Sequence, residues 1–390
     1  MKTCSYVHFL LLSYKLYTNF KNYCCRQTKG IECARFFFFV RAGAHYKLKV
    51  FTMKKLFVYF LMLGAIPLIF TNCKDDEDPK LKSEFELLTE YMGTNALDLT
   101  DVLNGWVKTA GSINVDPVDF SVPDYYVIDI RAAADFEAGH IKDANNTTLA
   151  NVLTEATKAG NMPILVVCYT GQSAARAVGA LRLMEIEAYS LKWGMSGWHQ
   201  DLSAKWEANA TDYASPNWVT TGDPIPNKEF SAPTLTTNGA DGRDILEKRV
   251  EAVLSMPWTI SKVDVLDNPS NYFINNKWPL DSWNEYGHIN GAYRIDEELN
   301  LAGLKYLDPD ADMVTYCYTG QTSAITTTWL QVMGYTNARS LTFGVNGIAH
   351  SDLVTGTAGS AHKKSWKGEG SGSVNNFGYY DSEGNLHGPE

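Results

Sequence analysis

Cys168-Tyr169-Thr170-Gly171-Gln172 closes an apolar run at 163–168 (Pro-Ile-Leu-Val-Val-Cys), and the same five residues return as Cys317-Tyr318-Thr319-Gly320-Gln321. Such a string does not recur by chance in a chain of 390 residues. A return after 149 positions, from 168 to 317, marks a duplicated unit. The likeness extends outward from both copies. Tyr126-Val-Ile-Asp-Ile-Arg131 is matched by Tyr272-Phe-Ile-Asn-Asn-Lys277, and Gly139-His-Ile141 by Gly287-His-Ile289. Downstream, Ser190-Leu-Lys-Trp-Gly194 with Gly197 is matched by Ser340-Leu-Thr-Phe-Gly344 with Gly347. His140 precedes Cys168 by 28 positions and His288 precedes Cys317 by 29. Each repeat is long enough to hold its own core.

The pattern inside the repeat is that of an α/β domain. Residues 125–130, 163–168 and 188–191 read as strands, and the continuous apolar run at 163–168 is of the kind buried on both faces. Helices are expected at 85–92, 97–109, 150–159, 173–186 and 243–255. For 97–109 the signal is Leu99, Val102, Leu103, Trp106 and Val107 at helical spacing. Strands alternating with helices give a parallel sheet with helices on both faces. Residues 207–240 are rich in Asn, Thr, Pro and Gly and read as a linker; 368–390, rich in Gly and Ser, reads as a flexible tail. The domains are then 74–206 and 241–367.

Residues 1–52 differ from the rest. They hold nine Lys and Arg against one acidic residue, Glu32, and four cysteines, with no lasting amphipathic period. At Met53 a new pattern opens with Met53-Lys-Lys55, an apolar stretch at 56–70 and then Thr71-Asn-Cys73. A short basic region, an apolar core and a small or polar end form a secretory signal, so 53–73 is expected to be one and 1–52 an upstream misread. The end of this segment resembles a bacterial lipoprotein signal, with Cys73 as the lipidated residue and Asn72 departing from the usual small residue. An ordinary cleaved signal is the alternative. The lipoprotein reading implies an exported protein of the cell envelope, tethered to a membrane through lipid. Eleven of the 34 basic and one of the 44 acidic side chains lie before residue 74, which leaves a balance of −20 after it. That charge disfavours nucleic acid as a partner.

A strand ending in cysteine, a Gly-bearing loop and a helix start together cradle an anion, because loop amides and the helix N-terminus face the sulfur. Such a setting is expected to lower a thiol from about 8.5 into the range of roughly 3.5–7.5. Gly171 and Gly320 permit the tight turn, and the hydroxyls of Thr170, Ser173, Thr319 and Thr322 can donate to a bound anion. With Tyr169, Gln172, Tyr318 and Gln321 they complete the two candidate binding loops. No basic side chain lies inside either loop, so anion attraction is assigned to amides and hydroxyls.

This constellation resembles the rhodanese family of sulfurtransferases over roughly 120–200 and 265–350. The resemblance implies that Cys168 and Cys317 accept a sulfane sulfur as a persulfide. The sulfur would come from a small anion such as thiosulfate and pass to a thiol or cyanide, with no cofactor. It also implies that Asp129 and Arg131 brace the first loop. In the second repeat these become Asn275 and Lys277, so Cys168 is preferred as the better-supported nucleophile. Two-domain members usually keep the cysteine only in the C-terminal repeat, whereas this chain keeps both.

A cysteine phosphatase needs an Arg six positions after the cysteine to clamp phosphate. Ala174 and Ser323 occupy that place, and the first Arg, Arg176, comes two residues later. His140 and His288 are read as packing groups rather than bases. No metal-ligand spacing or nucleotide fingerprint is present. A disulfide between Cys168 and Cys317 is not expected, each belonging to its own domain. The remaining alternative is a non-catalytic module that carries persulfide or senses sulfur species at the cell envelope.

Overall fold

A computed structural model describes residues 81–388. The segments 1–52 and 53–73, with Cys73, lie outside the described residues. Glu84–Thr94 forms α1, capped by Ser83 in a reciprocal box with Glu86. Leu99–Val102 forms α2, only one turn long. The expected helix over 97–109 therefore stops early. Gly105 takes a left-handed φ of +62°, and Val107–Lys108 extends as β1 beside another strand. Trp106 and Val107 have helical spacing from Leu99 and Leu103, but the glycine turn and the β-branched valine override it.

The first sheet follows from Tyr126–Asp129 (β2), Ala133–Ala138 (α3), Asn145–Asn146 (β3), Val152–Ala156 (α4), Ile164–Val167 (β4), Gln172–Leu183 (α5), Ala188–Leu191 (β5) and Ala204–Glu207 (α6). Its order is β1-β5-β4-β2-β3, parallel throughout. Strand alternation sends Ile128, Ile164, Val166 and Ala188 into one apolar cluster and Val127, Leu165, Val167 and Leu191 into another.

The second half repeats the plan through Trp218–Val219 (β6), Gly242–Val253 (α7), Thr259–Ile260 (β7), Lys262–Asp267 (α8), Phe273–Asn276 (β8), Leu280–Tyr286 (α9), His288–Ile289 (β9), Met313–Tyr316 (β10), Gln321–Val332 (α10), Arg339–Leu341 (β11) and His350–Thr355 (α11). Its sheet runs β7-β11-β10-β8, again parallel. Ile274, Val314, Tyr316 and Leu341 pack on Val265, Trp283 and Leu353 from the covering helices. The chain is thus α/β, with parallel sheets flanked by helices in both halves.

The two halves share one core. Helices α5 and α10, each following a cysteine loop, lie against one another. A Cβ at Gly179 of α5 would stand 3.3 Å from Thr328 Cβ of α10, so the absence of a side chain sets the close approach. Helix α10 is buried nearly all round, and it accommodates Thr326 and Thr328 by bonding their hydroxyls to the carbonyls of Thr322 and Ala324 one turn back. A single apolar cluster runs from Leu88 and Ile164 in the first half to Ile325 and Met333 in the second.

Neither the linker nor the tail is loose. Strand β6, from 207–240, pairs antiparallel with β9 of the second half, and Trp218 packs into that half's core. Beyond residue 367 the chain returns to the first half. Tyr379–Tyr380 (β12) and Leu386–His387 (β13) form a hairpin, and His140 bridges to Tyr380. Tyr379 and Phe377 pack with Trp198 and Phe120, and the Trp198 indole donates to Gly378 O at 2.8 Å. The expected flexible tail is therefore corrected to an ordered arm. Its Gly/Ser content masked three aromatics, Phe377, Tyr379 and Tyr380, and those tie it to the surface. Each Gly-His-Ile segment is thus paired with the extension that follows the opposite half.

Candidate active site

Strands β4 and β10 are each buried along their whole length and deliver Cys168 and Cys317 at their C-terminal ends. Gly171 (φ +82°) and Gly320 (φ +74°) cap α5 and α10 in the left-handed region, which turns the helix N-termini back toward the sulfurs. At Cys168 the sulfur accepts from the amides of Gly171 (3.2 Å) and Ala174 (3.3 Å). At Cys317 it accepts from Ser323 N at 3.4 Å, and Ser323 Oγ lies 3.6 Å away, itself bonded to Ser340 Oγ at 2.7 Å. Both cysteines are free thiols.

Burial pushes the Cys168 thiol up, against the pull of the Ala174, Thr170 and Gly171 amides, and the Asp129 carboxylate adds to the rise. The expectation that the loop alone ionises this sulfur is corrected: at 3 % exposure, desolvation outweighs the amides.

The downstream anchors press on the loops. Gly194 and Gly344, at φ +60° and +54°, sit so close that a Cβ would fall 2.2 Å from the carbonyl oxygen of Cys168 or Cys317. Met195 N and Val345 N then donate to those same oxygens at 2.8 and 3.0 Å. These glycines were visible in the sequence as conserved spacing between the repeats, but their role as loop supports was not.

The other candidate residues separate into several roles. Tyr169 leans outward, its hydroxyl on Asp135 and its ring under Lys205, whose nitrogen stands 3.3 Å from the ring centre. Tyr318 is buried and bonds Ser282 Oγ at 2.6 Å; burial pushes it up to about 12. Thr170 accepts from the Gln172 amide at 3.1 Å. Ser173 is half-buried at the start of α5, and Thr319 and Thr322 line a cavity beside Cys317. Gln172 and Gln321 cross between the halves. Gln172 Oε1 accepts from Phe343 N at 2.7 Å, and Gln321 Nε2 donates to Thr170 O at 3.0 Å. The two loops therefore buttress each other.

Asp129 and Arg131 form a buried ion pair at 2.7 Å, and Arg131 also donates to Gly139 O at 2.5 Å. This arginine is committed to its own strand and turn. In the second half Asn275 makes paired bonds with the Ile295 backbone (3.1 and 2.8 Å), and Lys277 binds Asp296 at 2.5 Å. The replacement pair holds its strand by a different set of bonds, so the reason for preferring Cys168 falls away.

A cavity of about 490 Å³ has Cys317 in its wall, and Cys168 is not among its lining residues. Lys192, Lys277, Lys363 and Lys364 surround it, with Trp106 and Trp278 as aromatic walls. Lys192 comes from the turn after β5 in the first half, and Lys364 from beyond α11. Attraction of an anion does not rest on amides and hydroxyls alone, as the loops taken by themselves imply. Burial, with repulsion from Lys364, holds Lys192 down to about 8. Lys364 is also lowered by burial, and attraction to Cys317 opposes that. Sequence reasoning named Lys277 only as the counterpart of Arg131 and missed Lys192, Lys363 and Lys364, because they lie far from Cys317 in the chain.

His288 stacks on Trp283 at 3.6 Å, and burial pushes it down to about 4; His140 stacks on Phe136 at 4.0 Å and bonds Phe136 O. Both are packing groups of their turns. Among the described residues no group of three His, Cys, Asp or Glu side chains is placed to hold a metal.

The sequence model of the rhodanese-like domain matches residues 116–201 and again 263–351. Thiosulfate sulfurtransferase GlpE of Shewanella oneidensis is 37 % identical over 78 residues, which is 19 % of this chain and 75 % of that protein. Among solved structures, 3-mercaptopyruvate sulfotransferase SseA of Escherichia coli aligns over 62 % of this chain and 98 % of its own, at 16 % identity and a TM-score of 0.23. The 3-mercaptopyruvate sulfurtransferase of Leishmania major aligns over 61 % of this chain and 74 % of its own, at 15 % identity and a TM-score of 0.23. With both cysteine loops inside the matched segments, the chain belongs to the rhodanese-like domain family and carries the domain twice.

Proposed function

We propose that this protein is a sulfurtransferase that moves a sulfane sulfur through a persulfide on Cys317. The observation that carries the reading is the cavity, which joins this thiol to four lysines and to the N-terminal turn of α10. In the first half-reaction the Cys317 thiolate attacks the outer sulfur of thiosulfate. The S–S bond breaks, and its electron pair leaves with sulfite. In the second, the terminal persulfide sulfur passes to cyanide or a thiol, and the Cys317 thiolate returns. Ser323 N and the Ser323–Ser340 hydroxyl pair can stabilise the sulfur anion, and the lysines can hold the leaving sulfite. The protein's attachment to the cell envelope through Cys73 belongs to the same proposal; metabolic labelling with a fatty acid, lost in Cys73→Ser, checks it.

Incubation with thiosulfate followed by intact mass measurement tests the chemistry. A gain of about 32 Da, one sulfur atom, is expected, lost in Cys317→Ser and removed by cyanide. A gain that survives Cys317→Ser and vanishes in Cys168→Ser would move the reaction to the first repeat. A protein that loads and is discharged by cyanide once, but does not turn over when thiosulfate and cyanide are both supplied, would mark a persulfide carrier instead, and a gain that cyanide leaves in place would mark oxidation to a sulfinic acid.

A further inference from the structure

We propose that the two cysteines are coupled through Gln321, so that an anion held in the cavity over Cys317 slows reaction at the Cys168 sulfur in the other half. This rests on the anion-binding role given above to the Cys317 cavity. Gln321 touches both sites. It lines the cavity, and its Nε2 donates to Thr170 O of the opposite loop at 3.0 Å. That carbonyl belongs to the same peptide unit as Gly171 N, which donates to the Cys168 sulfur at 3.2 Å. A trans peptide is planar and points its C=O and N–H in opposite directions. A donor on the oxygen therefore aims the N–H at the sulfur, and each bond in such a chain polarises the next. Gln321 is thus a positioning residue for Cys168, although it stands in the loop of Cys317.

The packing leaves the carboxamide little freedom. Gln321 is 2 % exposed, and burying an amide is costly unless it is bonded. A Cβ on Gly171 would fall 2.8 Å from Gln321 Nε2, so only glycine admits the side chain against the opposite loop. A carboxamide nitrogen carries two N–H groups, and Thr170 O takes one of them. The second has no partner among the described residues, and the cavity is the space that this side chain borders. An anion there would accept it. Bonds to a charged acceptor are roughly twice as strong as neutral ones, so the carboxamide turns toward the anion and its hold on Thr170 O weakens. The Gly171 N–H then supports the sulfur less well, and Cys168 keeps its proton more tightly. Gln172 does not mirror this arrangement. Its Nε2 turns back to Thr170 Oγ1 within its own loop, and its Oε1 accepts from Phe343 N. The coupling therefore runs through one glutamine.

Alkylation of Cys168 by iodoacetamide reads the coupling without turnover. It is followed by mass spectrometry on the peptide that contains Cys168, in the full chain carrying Cys317→Ser. Sulfate is the probe, since it has the shape and charge of thiosulfate and reacts with neither thiols nor iodoacetamide. At pH 7, where Lys192 is charged, saturating sulfate is expected to slow alkylation about threefold against chloride at equal ionic strength. Gln321→Met keeps the length of the side chain and removes its donors. Without sulfate it should slow alkylation by a similar factor and displace the rate–pH profile to higher pH, and sulfate should then have no further effect. Loosened packing alone would expose the buried thiol and speed its alkylation, so a slower rate separates positioning from a structural role. Asp129, the carboxylate that acts on Cys168, and its partner Arg131 are the same in every variant. Thr170 O keeps its bond from Trp206 Nε1 at 3.1 Å when Gln321 is replaced. Should Gln321→Met not fold, Gln321→Glu removes the same donor and takes its place. No effect of sulfate on Cys168, or an equal sulfate effect with Gln321 replaced, would overturn the coupling. Persulfide loading of Cys317 by thiosulfate, measured in parallel on the unsubstituted chain, is independent of that result. Its failure would overturn the sulfurtransferase reading, and its success beside a failed coupling would overturn the coupling alone.

Discussion

Lys192 shows how a single residue couples the halves. It follows the first repeat's β5 but faces the second repeat's cysteine, and its counterpart after β11 is the neutral Thr342. Its ammonium is held down to about 8, so it is charged below that pH and increasingly neutral above it. The groups around it are Lys277, Lys363, Lys364, Asp296 and Cys317. Affinity for an anion should therefore fall as pH rises through 8. In Cys317→Ser, thiosulfate is expected to bind several-fold more weakly at pH 9 than at pH 7, and Lys192→Met should flatten that slope. The cysteines and loop glycines were legible in the sequence because identical short strings announced them. The lysines were not, because their place beside Cys317 depends on how distant segments meet.

Among the elements, the strand–loop–helix units around the cysteines were the most legible. Buried β4 and β10 read as apolar runs, and α5 and α10 follow directly after glycine turns. The 97–109 segment shows the opposite case, since apolar spacing cannot distinguish a helix from one turn, a glycine bend and an edge strand. Gly344 ties element to chemistry. A methyl group there would overlap Cys317 O, and an alanine would hold an unfavourable positive φ. Gly344→Ala is expected to cost about 2–4 kcal/mol of stability in denaturant titrations. Sulfur loading at Cys317 should also slow more than tenfold as the loop is displaced.

At the scale of the whole molecule, the repeats are not independent beads. Helices α5 and α10 share a core, Gln172 and Gln321 cross between loops, and each extension reaches over to the other half. Heating should therefore give one cooperative transition rather than two. Removal of residues 368–390 would uncover Phe120, Val122 and Trp198 in the first half. That truncation is expected to lower the single Tm by several degrees and to increase binding of a hydrophobic dye. An unchanged Tm would refute the role assigned to the arm. The tail was misread from composition because a few aromatics among many small polar residues anchor a segment that propensity alone leaves unstructured.

The sequence by itself determined the duplication, the α/β plan, the two cysteine loops and their glycine turns. All of these depend on contacts within one repeat, where local spacing carries the information. Only the tertiary structure decided that the two thiols differ. Both are buried, at 3 % and 2 % exposure, but Cys317 stands in the wall of a cavity whose lysines and tryptophans come from both halves. Desolvation and long-range charge depend on what packs around a group, and that is not written in the loop's own letters.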